Sequence, residues 1–325
     1  MSPLPPTTDD DARNYVRNTD SGERNAIWVY PLHNRPMVEL RKLRRSALGN
    51  IMRLFHLHTP TGDVPSRLRE YRLAATTALI LVAGSAVAWA QENGPAVVPY
   101  RPSVATPAEL PAPGWPEIEA GMQWANGGDT ARNQSSPVTF KLAWNEGWAI
   151  LIGTDIYDWQ RAYEGGTAHS GGDTTLTLKY KLPVSDNVAL GAELGVALPT
   201  ARPPIGSGKV DWGINSIASF DYPGIHVDVN AAGAQLGAVD AGQGPWQGAW
   251  AIAASHPLNE QFGISGEVSG IVQRGTSAQA QGLAALNYNV SSALVLDVAA
   301  AVGLSRAAPD WQLMAGMTVR LGHWF

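Results

Sequence analysis

Hydrophobic and polar residues alternate with a period of two over most of the chain after residue 116. The clearest run is 174–182, in which Leu176, Leu178 and Tyr180 alternate with Thr177. A period of two predicts strands that have one apolar and one polar face. Twelve such runs, separated by turn residues, follow one another between residues 117 and 325.

The predicted connections between these runs alternate in length, as in bacterial outer-membrane barrels, which have an even number of strands, short turns at one end and longer loops at the other. The pattern predicts an all-β fold, a single 12-stranded antiparallel transmembrane β-barrel over residues 117–325. The tight turns are predicted at Asn145–Gly147, Pro183–Asn187, Asp221–Gly224, Pro257–Glu260 and Ser291–Ala293. The longer loops are predicted at Asn126–Ser136, Trp159–Gly171, Pro199–Gly208, Leu236–Pro245 and Gln273–Gln279, with an intermediate loop at Ser305–Pro309.

The apolar face of these runs carries no Asp, Glu, Lys or Arg. A Lys or Arg that faces the bilayer midplane costs about 2–4 kcal/mol, so this absence is expected of a surface in contact with lipid. A secreted soluble β-sandwich that binds a ligand has the same period and is an alternative fold. The run Met317–Phe325 favours the barrel, because it has the form of a closing strand whose terminal Phe325 is the expected assembly signal. Tryptophans predicted at strand ends, as in interfacial girdles, are Trp124, Trp144, Trp148, Trp246 and Trp311.

The N-terminal part of the chain has a different composition. The uncharged apolar run 73–90 follows three arginines and ends in Ala-Trp-Ala, which predicts a secretory signal peptide cleaved after Ala90. Residues 1–72 are expected to be an unstructured leader that results from a mis-assigned start, with an extended targeting segment as the alternative. Residues 91–116 contain seven prolines, six of them before residue 115, and are predicted to form a flexible, Pro-rich periplasmic linker, because proline removes backbone donors and favours extended chain.

Composition excludes several functions. The chain has no cysteine, so disulfides and thiolate metal sites are excluded. Residues 1–72 carry 12 Lys/Arg and 8 Asp/Glu, a charge of +4, whereas residues 91–325 carry 11 Lys/Arg and 20 Asp/Glu, a charge of −9. An acidic mature part argues against nucleic acid as a partner, because cationic side chains drive binding to phosphate backbones. We expect no cofactor and no metal.

The polar face of the predicted strands supplies the candidate lumen residues. Mixed charges inside a closed barrel must be paired or hydrated, so these side chains predict either a salt-bridged network that seals the lumen or a narrow polar passage for small solutes. His226 and Asp228 share one strand face, but no nucleophilic serine is identifiable there, and an outer-membrane lipid hydrolase stays a minor alternative. The chain is therefore not predicted to be an enzyme. The candidate lumen residues are Glu119, Lys141, Asp173, Lys179, Lys181, Glu193, Asp211, His226, Asp228, Glu267, Asp297 and Arg320.

Several stretches carry a family resemblance: Gly171–Leu182, Ala192–Thr200, Gly206–Gly208 with Asp211, and His226–Asn230. Together they resemble the outer-membrane family known as MetA-pathway of phenol degradation, over roughly residues 117–325. Here Ala201 replaces the usual glycine, and Asp228 stands where asparagine is more frequent.

The resemblance implies a small barrel in the outer membrane of a Gram-negative bacterium that transports small molecules, with aromatic or apolar compounds as candidate solutes. A sealed structural or adhesive barrel is the alternative role. The implied partners are outer-membrane lipid, the barrel-assembly machinery and a small-molecule solute.

Overall fold

The computed structural model describes residues 94–325. The predicted leader 1–72, the apolar signal core 73–90 and the cleavage after Ala90 lie outside these residues. The described chain contains thirteen β-strands. They are β1 (Glu117–Gly127), β2 (Arg132–Asn145), β3 (Trp148–Arg161), β4 (Thr167–Ser170), β5 (Thr174–Ser185), β6 (Val188–Leu198), β7 (Asp211–Tyr222), β8 (Ile225–Gln235), β9 (Trp246–Pro257), β10 (Phe262–Gln273), β11 (Gln279–Ser291), β12 (Leu294–Gly303) and β13 (Pro309–Arg320).

The strands form one closed antiparallel barrel. Strands that are neighbours in sequence pair with each other except for β4 and β5, and β1 closes the sheet by pairing with β13 on one side and β2 on the other. β4 and β5 together occupy a single place in the wall, because β3 pairs with both in one register, Asp158 opposite Ser170 and Gly153 opposite Thr175. The barrel is therefore 12-stranded, and the prediction of its fold is confirmed. The short stretch 171–173 interrupts the fourth wall strand.

All five predicted tight turns are confirmed, since each lies where one strand ends and the next begins. Two predicted loops were too long. β2 begins at Arg132 and β3 continues to Arg161, so the connections there shrink to 128–131 and 162–166. The periodicity could not show these extensions, because residues 132–136 are polar at nearly every position. The closing strand was also extended too far, since β13 ends at Arg320 and residues 321–325 lie outside it.

The polarity of the barrel is the reverse of that of a water-soluble domain. Apolar side chains on the outward face are exposed, for example Ile214 at 51% and Val298 at 52%. Charged side chains on the inward face are buried, for example Lys141 at 0% and Glu193 at 1%. A sandwich buries its apolar face, so this arrangement fits a sheet that faces hydrocarbon outside and a polar lumen inside. Within residues 94–325, no helix is long and apolar enough to cross a membrane.

Residues 94–116, which we call the plug, lie inside the barrel. Their apolar side chains pack on inward wall residues in separate clusters. Ala105 packs against Ala251 and Ala253, and Ala108 packs against Ile217. For this part of the chain, the expectation of a periplasmic linker outside the barrel is wrong.

Candidate functional site

The plug enters and leaves the lumen at the end of the barrel that has the short turns. At its start, the amide of Val97 donates to the carbonyl of Ser292 in the β11–β12 turn at 2.9 Å. At its end, the carbonyl of Gly114 accepts from the amide of Trp324 at 2.8 Å, and β1 follows directly. Short turns lie on the periplasmic side of outer-membrane barrels. The plug is therefore a loop that rises into the lumen from that side and returns.

Wall side chains bind the backbone amides of the plug. Glu119 accepts from the amide of Tyr100 at 2.7 Å, and Asn230 accepts from that of Thr106 at 2.9 Å. Glu267 accepts from the amides of Val104 and Ala105 at 2.7 and 2.9 Å. Buried amides need such partners. Proline has no amide hydrogen, so the proline content of the plug lowers the number of partners that the wall must supply.

Two fully buried lysines, on β2 and β5, also bind the plug. Lys141 Nζ donates to the carbonyl of Val98 at 2.5 Å and forms ion pairs with Glu117 and Glu119 at 2.8 Å each. Lys179 Nζ donates to the carbonyl of Pro107 at 2.6 Å. Because each ammonium has both carboxylate and carbonyl partners, its burial is compensated.

The ring of Tyr100 contacts both of these lysines. Each ammonium nitrogen, that of Lys141 and that of Lys179, is 4.0 Å from the ring centroid, which is cation–π geometry. The hydroxyl of Tyr100 donates to the carbonyl of Glu109 at 2.6 Å, a contact within the plug. Burial, together with nearby glutamates, raises the pKa of Tyr100 well above its ordinary value. The hydroxyl therefore stays protonated and remains a donor.

Arg101 of the plug binds the wall at β12. Its guanidinium forms a two-point contact with Asp297, with Nη2 3.2 Å from Oδ1 and Nε 3.3 Å from Oδ2. The same guanidinium lies over Gly121 and Gly316, where any added Cβ would be 2.5 Å or closer to it. Because these two glycines have no side chain, they leave a recess in the wall that accommodates the guanidinium of Arg101.

A polar chain connects the plug to the periplasmic rim. Ser219 Oγ accepts from the amide of Ala108 at 2.8 Å and donates to Asp228 at 2.5 Å. His226 lies beyond, with Nε2 3.1 Å from Asp228 and Nδ1 2.7 Å from Asp221. Ser219 is therefore bonded to a carboxylate, and the serine–imidazole contact of a hydrolase is not made in this chain of groups.

Near the opposite end of the lumen, inward carboxylates bind loops. Asp173 accepts from the amide of Ala201 at 2.8 Å, and Asp211 accepts from that of Gly237 at 2.6 Å. Each carboxylate therefore ties a long loop to the barrel wall. Between this end and the plug, a small cavity lies beside a ladder of amide side chains, in which Gln123 bonds to Gln312 at 2.8 Å and Gln312 to Gln281 at 2.6 Å.

The structure places most candidate lumen residues around the plug. Eight of them bind it directly; Asp228 reaches it through Ser219, His226 lies at the rim, and Asp173 and Asp211 hold loops instead. The eight are Glu119, Lys141, Lys179, Lys181, Glu193, Glu267, Asp297 and Arg320.

Sequence reasoning missed several residues that meet at the plug. On the wall these are Glu117, Asn215, Ser219 and Asn230, and in the plug Tyr100, Arg101, Ser103, Thr106 and Glu109. The wall residues occupy the same alternate, inward-facing strand positions as the candidates. The period of two in the sequence could therefore have identified them. Within residues 94–325, no group of three or more His, Cys, Asp or Glu side chains could hold a metal ion.

These features define a class of protein: a transmembrane-type 12-stranded β-barrel whose lumen contains a segment that precedes its first strand. No family model matches the chain, and no curated protein sequence matches it.

Several solved structures resemble the chain in fold. The COG4313 outer membrane channel from Pseudomonas putida F1 matches at 12% identity with a TM-score of 0.54, over 66% of this chain and 98% of that one. The NanC porin matches at 9% identity with a TM-score of 0.46, over 63% of this chain and 100% of that one. The Pseudomonas putida toluene transporter TodX matches at 10% identity with a TM-score of 0.38, over 66% of this chain and 90% of that one. At 12% identity, the likeness to the COG4313 channel shows the fold alone.

Proposed function

We propose that this protein is an outer-membrane channel of a Gram-negative bacterium, through which small molecules pass when the plug leaves the lumen. The observation that carries the proposal is that the lumen is occupied by a separate segment. The plug is held by hydrogen bonds and ion pairs to polar walls rather than by a continuous apolar core. Polar walls can be rehydrated, so a lumen of this kind can open without leaving an apolar surface in water.

The size of the barrel supports this function. Eight-stranded barrels are filled by the side chains of their own strands, whereas barrels of 16–18 strands leave an aqueous channel. Twelve strands enclose an intermediate space. Here that space takes a folded-back peptide in its periplasmic part, which implies room for a small solute once the peptide has moved.

The solute is a small molecule, and the family resemblance adds aromatic and apolar compounds as candidates. In this proposal the outward apolar face contacts outer-membrane lipid, and the barrel-assembly machinery inserts the chain. A catalytic role is not proposed.

A sealed structural barrel is the second candidate, and the buried hydrogen bonds from Lys141 and Lys179 to plug carbonyls favour it, since they resist withdrawal of the plug. A reversible cross-link separates the two. The chain has no cysteine, and a Cβ built on Gly191 would be 3.3 Å from the Cβ of Ala108 in the plug, just under the roughly 3.5–4.5 Å of disulfides.

We therefore expect the variant Ala108→Cys/Gly191→Cys, in planar lipid bilayers, to show no current when oxidised and openings like those of the parent protein when reduced. A variant that lacks residues 94–113 is the control and should conduct steadily, which shows that the lumen was reconstituted. Current from this control alone, with none from the parent or the reduced variant, would favour the sealed barrel and overturn the channel.

A further inference from the structure

Four residues on neighbouring strands form one inward-facing row. Gly121 on β1 pairs with Gly316 on β13, Gly316 pairs with Asp297 on β12, and Asp297 pairs with Asn287 on β11. The two glycines carry no side chain into the lumen, so the row combines a flat recess with a carboxylate and an amide beside it. We call this row the Asp297 seat.

The Asp297 seat fits a planar group with several donors. Arg101 engages both carboxylate oxygens of Asp297, and its Nη2 also donates to the carbonyl of Ala315 at 3.3 Å. A Cβ on Gly121 would be 2.3 Å from Nη2, and a Cβ on Gly316 would be 2.5 Å from Nε. Two parallel N–H donors facing a carboxylate are the geometry that distinguishes guanidinium from ammonium.

The acceptors of the Asp297 seat depend on the plug for their donors. The side chain of Asp297 is 3% exposed, and Arg101 is the cation that pairs with it among the described residues. The nearby Oδ1 of Asn287 is buried without a hydrogen-bond partner in the structure. Buried acceptors that lose their donors are costly. The seat therefore favours a replacement cation when Arg101 withdraws.

The acidic side chains Glu267 and Asp297 lie on β10 and β12. The lysines of the lumen lie on β2 and β5, and Arg320 lies at the periplasmic end of β13. Glu267 is bound by the hydroxyl and amides of the plug and has no ion pair in the described structure. Without the plug, Glu267 and Asp297 make the inward faces of β10 and β12 acidic.

We propose that the Asp297 seat is a binding site for small solutes that carry a guanidinium group, and that Arg101 of the plug occupies it in the closed barrel. The plug and such a solute then compete for one carboxylate. As a step in passage through the lumen, this inference rests on the proposed channel, whereas the binding itself does not.

The test uses methylguanidinium, the end of an arginine side chain, as the probe. Binding is measured by calorimetry at low ionic strength on the folded, detergent-solubilised protein, with methylammonium as the matched cation that lacks the planar fork. Arg101→Ala empties the seat, so it should bind methylguanidinium at least tenfold more tightly than methylammonium. The parent protein, with its seat occupied, should show at least tenfold weaker binding.

Two second-site variants locate the binding. Adding Asp297→Asn to Arg101→Ala should abolish it, and adding Gly316→Ala should weaken it at least tenfold, because the new Cβ occupies the recess. Folding of each variant is checked by heat-modifiable gel mobility. Equal binding of the two cations by Arg101→Ala, or no binding at all, would overturn the proposal even if neither double variant folds.

The outcome is separable from that of the channel experiment. If the protein binds methylguanidinium through Asp297 but carries no current, the binding site is supported and the proposed channel is overturned. If the current responds to the cross-link as expected while Arg101→Ala binds no methylguanidinium, the channel is supported and the binding site is overturned.

Discussion

The two faces of strands β5 and β6 lie one residue apart and meet different surroundings. Outside, Leu178 pairs with Leu194, and these side chains are 40% and 56% exposed. Inside, the next pair is Lys179 with Glu193, joined at 2.9 Å with both side chains fully buried. One register therefore sets an apolar pair against the bilayer and an ion pair against the plug. The outer face requires only that its side chains are apolar, whereas each inner side chain requires a specific ion-pair or hydrogen-bond partner.

The largest effect should come from breaking the inner face at Lys141. Lys141→Met leaves Glu117 and Glu119 buried without their cation, and breaking a buried ion pair from one side costs about 3–5 kcal/mol. We expect a loss of that size in the free energy of unfolding, measured by urea denaturation of the refolded barrel.

The control for Lys141→Met removes the charges of its partners as well. The triple variant with Glu117→Gln and Glu119→Gln should recover most of the lost free energy, because the uncompensated carboxylates are gone. A loss in the triple variant as large as in Lys141→Met would show that packing of the lysine stem, and not its charge, is what the inner face requires.

The outer face is tested by Leu178→Arg. A cation there would face hydrocarbon, at a cost of about 2–4 kcal/mol near the bilayer midplane. We expect less inserted barrel in vesicles, measured as the heat-modifiable fraction. The matched variant Thr177→Arg places the same side chain on the inward face and should insert more completely. Equal insertion of the two variants would contradict the assigned faces.

The sequence could predict the outer face and the turns, but not the plug. Period two and turn residues are local signals, so strand number, phase and the five tight turns followed from them. The plug has no period, and its contacts join residues far apart in the chain, such as Arg101 with Asp297 and Thr106 with Asn230. Its proline content was interpreted as a sign of an external linker. A high proline content also suits a buried peptide, because fewer amide donors then need acceptors from the surrounding wall.

The inner pairs are an intermediate case. Lys179 and Glu193 are directly opposite each other across the β5–β6 hairpin, as are Lys141 and Glu117 across β1 and β2. The tight turn at Pro183–Asn187 fixes the register of β5 and β6, so the pair of Lys179 and Glu193 could be derived from the sequence, whereas the misplaced bounds of the β1–β2 loop hid the pair of Lys141 and Glu117. The third member of each group, a carbonyl of the plug, could not.

Phe325 belongs to neither face, and its deletion should have the smallest effect on stability. It lies beyond the end of β13, and its side chain is 60% exposed. Removing it should change the free energy of unfolding by less than about 0.5 kcal/mol, as expected of a surface change.

If Phe325 is an assembly signal, the same deletion should still lower the amount of barrel inserted in cells, measured by heat-modifiable mobility of membrane fractions. Deletion of the plug-contacting Trp324 as well is the matched variant, since it removes the 2.8 Å bond to Gly114 and should also lower stability. Normal insertion without Phe325 would mean that the residue contributes neither to the stability of the folded barrel nor to its assembly.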